Sequence, residues 1–128
     1  MQRSSGIYTS TGKYHYYNRW LMVDCCPELA AFYRTLVHYQ SRSLTLQIPK
    51  HGSHITVIAG KYEPTHDERY WKKYDGQPVV FQYSHEIGTD GCYFWLPVYC
   101  QEFQKVRIEL GLNPTIPIPW HLTIGNLK

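Results

Sequence analysis

What the chain has little of narrows its class first. No apolar run approaches the roughly 18 residues of a membrane-spanning helix. The polar opening, residues 1–6, has none of the apolar core that marks a signal peptide. No CxxC pair occurs among the four cysteines, Cys25, Cys26, Cys92 and Cys100, which argues against a zinc ribbon, and the adjacent Cys25 and Cys26 are poorly placed to bond to each other. Together these absences lead to the expectation of a soluble, cytoplasmic protein in a reducing compartment, with no membrane partner. Charge of one sign is scarce as well. A net charge of +3 is far below what a protein living on duplex DNA carries, although it suits a small anionic ligand held by a few local cations. Solenoid repeats and low-complexity segments are missing too.

What is present describes an ordinary globular domain. At 128 residues, 43% of them hydrophobic and 18% charged, the chain is sized for one core. Aromatics stand out at 16%, and twelve of them are tyrosines. Tyr and Trp combine a flat apolar face with a polar tip, so they serve equally as core filling and as surfaces on which bases stack.

Periodicity places the elements. Residues 18–24 read as a strand that breaks at Cys25-Cys26-Pro27. Pro27 and Glu28 suit a helix start, and Leu29, Phe32, Tyr33, Leu36 and Val37 continue it at helical spacing to about residue 40. Residues 43–48 alternate like a strand, and residues 54–58 form the next one. Thr65 to Glu68 reads as a capping box ahead of a short helix with Tyr70, Trp71 and Tyr74, stopping near Gly76. Residues 79–83 and 93–99 predict two strands, joined as a hairpin by the loop 87–91. A helix over 101–110 has Phe103, Val106 and Leu110 inward and Gly111 at its cap, and a proline-rich loop leads to a last strand from His121 to about Asn126. The tyrosine-rich residues 6–17 read as a hairpin arm. The order points to an α+β fold with helices outside a largely antiparallel sheet.

One pattern carries chemistry. His54-Ile55-Thr56-Val57 and His121-Leu122-Thr123-Ile124 repeat histidine, apolar, threonine, apolar, once in each half of the chain. Side chains at i and i+2 of a strand share a face, so each motif presents one imidazole and one hydroxyl while its apolar residues bury on the other side. Chance supplies about 0.2 such matches for this composition, and a pair in roughly one chain in a hundred. Cleaving a phosphodiester needs a base for the incoming oxygen and an acid for the leaving one. Two imidazoles with ordinary pKa values near ~6.5 can divide those roles without a metal or other cofactor, and the threonine hydroxyls can donate to the phosphate oxygens.

On these residues the chain resembles the 2H phosphoesterases, the superfamily of the LigT-like RNA phosphodiesterases, which is defined by two His-x-Ser/Thr-x motifs. Arg19 to Leu29, an apolar strand ending in Asp24 and followed by Pro27-Glu28-Leu29, is similar to the LigT-like first strand and helix start, and Gly60 echoes a family glycine. The likeness covers residues 19–60 and 117–126. It implies a bilobal fold, two pseudo-symmetric lobes of antiparallel strands with helices outside and both motifs in one cleft. It also implies metal-independent attack on cyclic nucleotides, cyclic oligonucleotides or RNA ends. His54 and His121 would be the acid/base pair, and Thr56 and Thr123 the phosphate donors. In size the chain is similar to compact phage members that destroy cyclic-oligonucleotide alarm signals, which would place it in the host cytoplasm if phage-encoded. Gly6-Ile7-Tyr8 is a further likeness, with Tyr8 placed to stack a base.

Other residues weigh less. Tyr62 lies at even spacing from His54 and could reach the cleft mouth. Lys13, Arg19, Lys50, His51 and Lys61 are candidate phosphate contacts, though most surface cations are simply solvated. Trp120 points to the face opposite His121, towards core packing. His51 and His54 lack a carboxylate or cysteine partner for a metal, and nothing beyond residue type supports Cys25 or Cys100 as a nucleophile. The rival to an enzyme is a binding module that sequesters a nucleotide or RNA in the same cleft. A third reading, in which the repeat is accidental, expects His54 and His121 to lie far apart.

Overall fold

The computed structural model describes residues 6–17, 19–41, 44–50, 52–59, 73–114 and 119–127. Its first strand, β1 (Ile7–Tyr17), is rich in Tyr and Thr, residues that fit a pleated, half-buried surface. β1 pairs antiparallel with β2 (Trp20–Cys25), setting Lys13 opposite Asp24 and Tyr14 opposite Val23. The expected hairpin arm is therefore present. Gly12 makes this approach possible, because a Cβ there would meet Val23 Cγ1 at 2.5 Å and the Asp24 carbonyl oxygen at 2.6 Å.

Pro27 opens α1 (Pro27–Gln40), where its missing N–H leaves no gap, and Glu28 sits at the positive end. β3 (His54–Ile58) follows, then β4 (Pro78–Ser84), the two-residue β5 (Gly88–Thr89), β6 (Tyr93–Tyr99), α2 (Gln101–Glu109) and β7 (His121–Asn126). α2 ends in a turn that Gly111 closes with φ of 80°.

The strands join in the order β4-β1-β2-β3-β7-β6-β5, all antiparallel where paired, and β4 also pairs with β6. The six long strands thus close into a barrel with two helices, an α+β architecture. The order strand, strand, helix, strand occurs twice, as β1-β2-α1-β3 and β4-β6-α2-β7. Exchanging the two sets maps the ring onto itself: β1–β2 matches β4–β6, β2–β3 matches β6–β7, and the halves meet at β3–β7 and β1–β4.

Alternation fixes which side is core. Val23, Ile55, Val57, Leu96, Leu122 and Ile124 are buried, and they form one cluster with Tyr33 and Val37 of α1 and with Phe103, Val106 and Leu110 of α2. Each such side chain contributes on the order of 1.5–3 kcal/mol by leaving water. Both helices therefore cover the apolar strand face, and the polar residues of the strands look the other way. Trp120 packs edge-on against Phe103 at a centroid distance of 5.3 Å, as expected.

Three regions differ from expectation or fall outside it. Of the stretch 43–48 expected as a strand, the described residues 44–48 make none; Gln47 alone of these bridges to Asn126. Leu46 is buried and Leu44 partly so, so the alternation reports packing rather than a ladder. The loop expected between β4 and β6 contains β5, and β4 meets β6 only through Gln82–Tyr99 and Tyr83–Val98. The capping box at Thr65, the helix residues Tyr70 and Trp71, and most of the proline-rich loop lie outside the described residues. No helix among the described residues is long and apolar enough to cross a membrane.

Candidate active site

The two histidine motifs lie side by side. β3 and β7 pair antiparallel with His54 opposite Thr123 and Ile55 opposite Leu122. The same register carried one step further sets Thr56 opposite His121. Each histidine thus faces the threonine of the other motif. Directly opposed residues on antiparallel strands have Cβ atoms about 5 Å apart, and diagonal neighbours such as His54 and His121 roughly 7–8 Å, a gap that a phosphate group fits. All four side chains are half-buried, while Ile55, Val57, Leu122 and Ile124 are buried on the opposite face. The accidental-repeat reading expected the histidines far apart; they stand on adjacent strands.

Both imidazoles are held in the same way. His54 Nδ1 lies 2.9 Å from the carbonyl oxygen of Gly52, and His121 Nδ1 lies 3.0 Å from that of Pro119. A carbonyl only accepts, so Nδ1 carries the hydrogen in each ring and donates it two residues back. That fixes the neutral tautomer and places the lone pair on Nε2, the nitrogen aimed away from the strand backbone. The strand entries are anchored alike: Cys25 N–H donates to the Ser53 carbonyl at 2.9 Å, and Val98 N–H to the Trp120 carbonyl at 3.0 Å.

A β-bulge ends each motif. In β3, Thr56 pairs with Met22 and Ile58 with Leu21, leaving Val57 as the extra residue. In β7, Thr123 pairs with Trp95 and Gly125 with Phe94, leaving Ile124. A bulge strands a backbone carbonyl outside the ladder. Here helix arginines reach those carbonyls. Arg34 of α1 donates through Nη1 to the Ile124 carbonyl at 2.7 Å. Arg107 of α2, 2% exposed, donates through Nη1 to the Val57 carbonyl at 3.0 Å and through Nε to the Asn113 carbonyl at 2.8 Å. Each helix thus braces the motif of the other half. Sequence reasoning passed over both arginines. The signal was available, because Arg34 follows Ala30 by four and Arg107 follows Phe103 by four, on the apolar stripe of each helix.

Across the sheet, one row on the motif face runs Lys13, Asp24, His54, Thr123, Trp95. The next carries His15, Met22, Thr56, His121 and Pro97. His15 Nδ1 lies 3.5 Å from Asp24 Oδ2, and the Trp95 ring stands 5.5 Å from that of His121 at 52°. Lys13 is thereby brought to the motif face, and Lys50 lines a cavity beside His54. Arg19 is exposed.

Tyr8 is not gathered with these groups. It pairs with Tyr83 on the opposite face of β1, the face of Tyr14 and Gly12, with ring centroids 5.7 Å apart, and contacts His85 edge-on at 6.2 Å. The base-stacking role expected of it grouped it with the motif residues, and the register sets it on the other face: pairing, not proximity in sequence to β2, decides its side. Tyr62, His51, Gly60 and Lys61 lie outside the described residues.

Burial works against both cysteines weighed as nucleophiles. Cys25 is buried on the core face, where desolvation and the neighbouring Asp24 charge push its thiol well above the usual range, and burial also raises Cys100. Among the described residues no three His, Cys, Asp or Glu side chains converge as metal ligands. No family model, curated protein or solved structure matches the chain.

Proposed function

We propose that the chain is a metal-independent phosphodiesterase that works by acid–base catalysis between His54 and His121, in a bilobal fold of the 2H phosphoesterase type. The single observation that carries this reading is the crossed register, each histidine opposite the other motif's threonine, with both Nδ1 atoms tied to backbone carbonyls. The topological match of the two halves supports the fold assignment.

The chemistry follows from the atoms. Nε2 of one histidine takes the proton of the attacking hydroxyl, water or a substrate 2′-OH, as its oxygen bonds to phosphorus. The other histidine gives its Nε2 proton to the leaving oxygen as that P–O bond breaks. The carbonyl at each Nδ1–H keeps its ring in one orientation as the proton comes and goes on Nε2. Thr56 and Thr123 donate to the non-bridging oxygens, where charge builds in the transition state. The substrate class is a cyclic nucleotide, cyclic oligonucleotide or RNA-end diester, and degradation of immune signalling nucleotides in a host cytoplasm is the role that fits a compact phage-type member.

The test is a turnover screen in EDTA with 2′,3′-cyclic nucleotides, 2′,5′-linked oligoadenylate and cyclic di- and trinucleotides, run on wild type and on the His54→Ala, His121→Ala double variant. Cleavage by wild type alone is the expected result. Turnover that survives the double substitution, or that requires an added divalent metal, overturns the mechanism. Tight binding without cleavage would make the chain a nucleotide-sequestering module.

A further inference from the structure

Next to His54 and Thr123 the surface sinks into a cavity of about 480 Å³. Its polar walls are Gln47, Lys50, Tyr93 and Asn126, and Ile48 and Pro49 add apolar surface. The volume lies in the range of small-ligand sites, and the mix of an aromatic ring, apolar floor and a few polar groups is what such sites require.

The fold builds this cavity deliberately. The bulge at Ile124 shifts the parity of β7, so Asn126 returns to the motif face and stands opposite Tyr93. Gln47 is clamped to Asn126 by two backbone hydrogen bonds, Gln47 N–H to the Asn126 carbonyl at 2.8 Å and Asn126 N–H to the Gln47 carbonyl at 3.2 Å. Side chains of directly opposed residues share a face, so Gln47, Asn126 and Tyr93 form one row beside the motif histidine and threonine. Gly125 permits the clamp, because a Cβ there would meet the Gln47 carbonyl oxygen and the Leu46 Cβ, each at 2.9 Å.

We infer that this cavity seats the nucleobase attached to the scissile phosphate, with Tyr93 as its stacking surface and the carboxamides of Gln47 and Asn126 reading its edge. The inference rests on the phosphodiesterase reading of the adjoining histidines. Tyr93 is half exposed on a strand that holds its backbone rigid, an arrangement suited to base stacking. A carboxamide offers one donor side and one acceptor side, which together match the mixed edges of nucleobases, whereas a bare phosphate engages the donor side alone. The Asn126 Nδ2 already donates to the Leu127 carbonyl at 3.1 Å, which helps to hold that amide in place. Lys50 adds a positive side chain to the same lining as His54, suited to the charge of a bound phosphate.

The experiment compares a nucleoside diester with methyl 4-nitrophenyl phosphate, a diester with no base. For Tyr93→Ala the kcat/KM for 2′,3′-cyclic nucleotides should fall about 10- to 100-fold further than that for the base-free diester. For Gln47→Ala the spread of kcat/KM among the adenine, guanine, cytosine and uracil substrates should narrow. Equal losses on both diesters, with the base ranking unmoved, overturn the base pocket and leave the phosphodiesterase intact. If wild type cleaves neither diester, nucleoside monophosphate binding followed by Trp fluorescence decides. Binding weakened at least tenfold by Tyr93→Ala upholds the pocket while the catalytic reading fails, and binding indifferent to both variants sinks the pocket as well.

Discussion

Arg107 reaches from α2 to the carbonyl of Val57, the one residue of the first motif strand that its bulge leaves outside the ladder. Arg34 does the same for Ile124 of the second motif. A buried carbonyl without a partner costs about 1–3 kcal/mol, and a guanidinium in apolar surroundings costs more unless it is bonded. Each group answers the need of the other, and the result locks the end of each motif to the opposite helix.

The brace predicts unequal costs. Arg107→Met should lower stability by about 3 kcal/mol in urea unfolding, since it strips the Val57 and Asn113 carbonyls of a donor in a buried setting. Arg34 is only partly buried, so water replaces its hydrogen bond and Arg34→Met should cost about 1 kcal/mol. A neutral Arg107→Met variant would show that α2 does not hold the bulge.

The threonine hydroxyls predict a kinetic signature. Thr123→Val and Thr56→Val keep the shape and remove the donor, so kcat should fall about 100-fold each while the unfolding midpoint hardly moves. Serine at either position should restore most of the rate. A loss confined to KM would assign the hydroxyls to ground-state binding instead.

Gly125 predicts a coupled loss. Gly125→Ala forces a methyl group against the Gln47 carbonyl and Leu46, which should cost about 1–3 kcal/mol and push residues 46–47 off β7. Amide exchange at Gln47 and Asn126, whose N–H groups form the clamp, should accelerate in the variant. Unchanged exchange would show that the strap adapts around a side chain.

Alkaline pH should weaken the fold. Burial and the neighbouring Tyr83 push the Tyr33 phenol up to about 12, and burial raises Tyr14 further still. A group whose folded pKa is raised stabilises the fold fully below its unfolded value, near ~10 for Tyr, and that contribution is lost as pH rises through the folded value. Stability should therefore decline between about pH 10 and 12. Tyr33→Phe should flatten the decline, and a slope identical to wild type would remove Tyr33 from the account.

How much of this was written in the sequence depends on the range of the interaction. Local rules placed α1 from Pro27, α2 up to Gly111, and β3 and β7 from His54 and His121, because capping and periodicity act over a few residues. The shared face of His54 and Thr56 followed from the strand repeat alone. The register that sets His54 against Thr123 did not, since no local property says which strands become neighbours. Asn126 sits an odd number of residues from Thr123 yet shares its face because of the bulge, which strand alternation alone does not reveal. The side of β1 on which Tyr8 sits was equally out of reach, because it is set by pairing with Tyr83. Leu44 and Leu46 imitated a strand because a packed extended segment and a ladder leave the same alternation.

The junction of β3 with β7 has a consequence in time. Among the described residues two ladder pairs, His54–Thr123 and Ile55–Leu122, hold it, and they join positions far apart along the chain. Each half can form its hairpin and helix from nearby residues, whereas this seam must wait until both halves exist and meet, the slow and entropically costly kind of contact. The meeting of the two histidine motifs is therefore expected late in folding and early in opening. A molecule that has acquired its helices and hairpins but not this seam carries every motif residue with the two motifs still apart, so the His54–Thr123 pairing is a reporter of completed folding rather than of secondary structure.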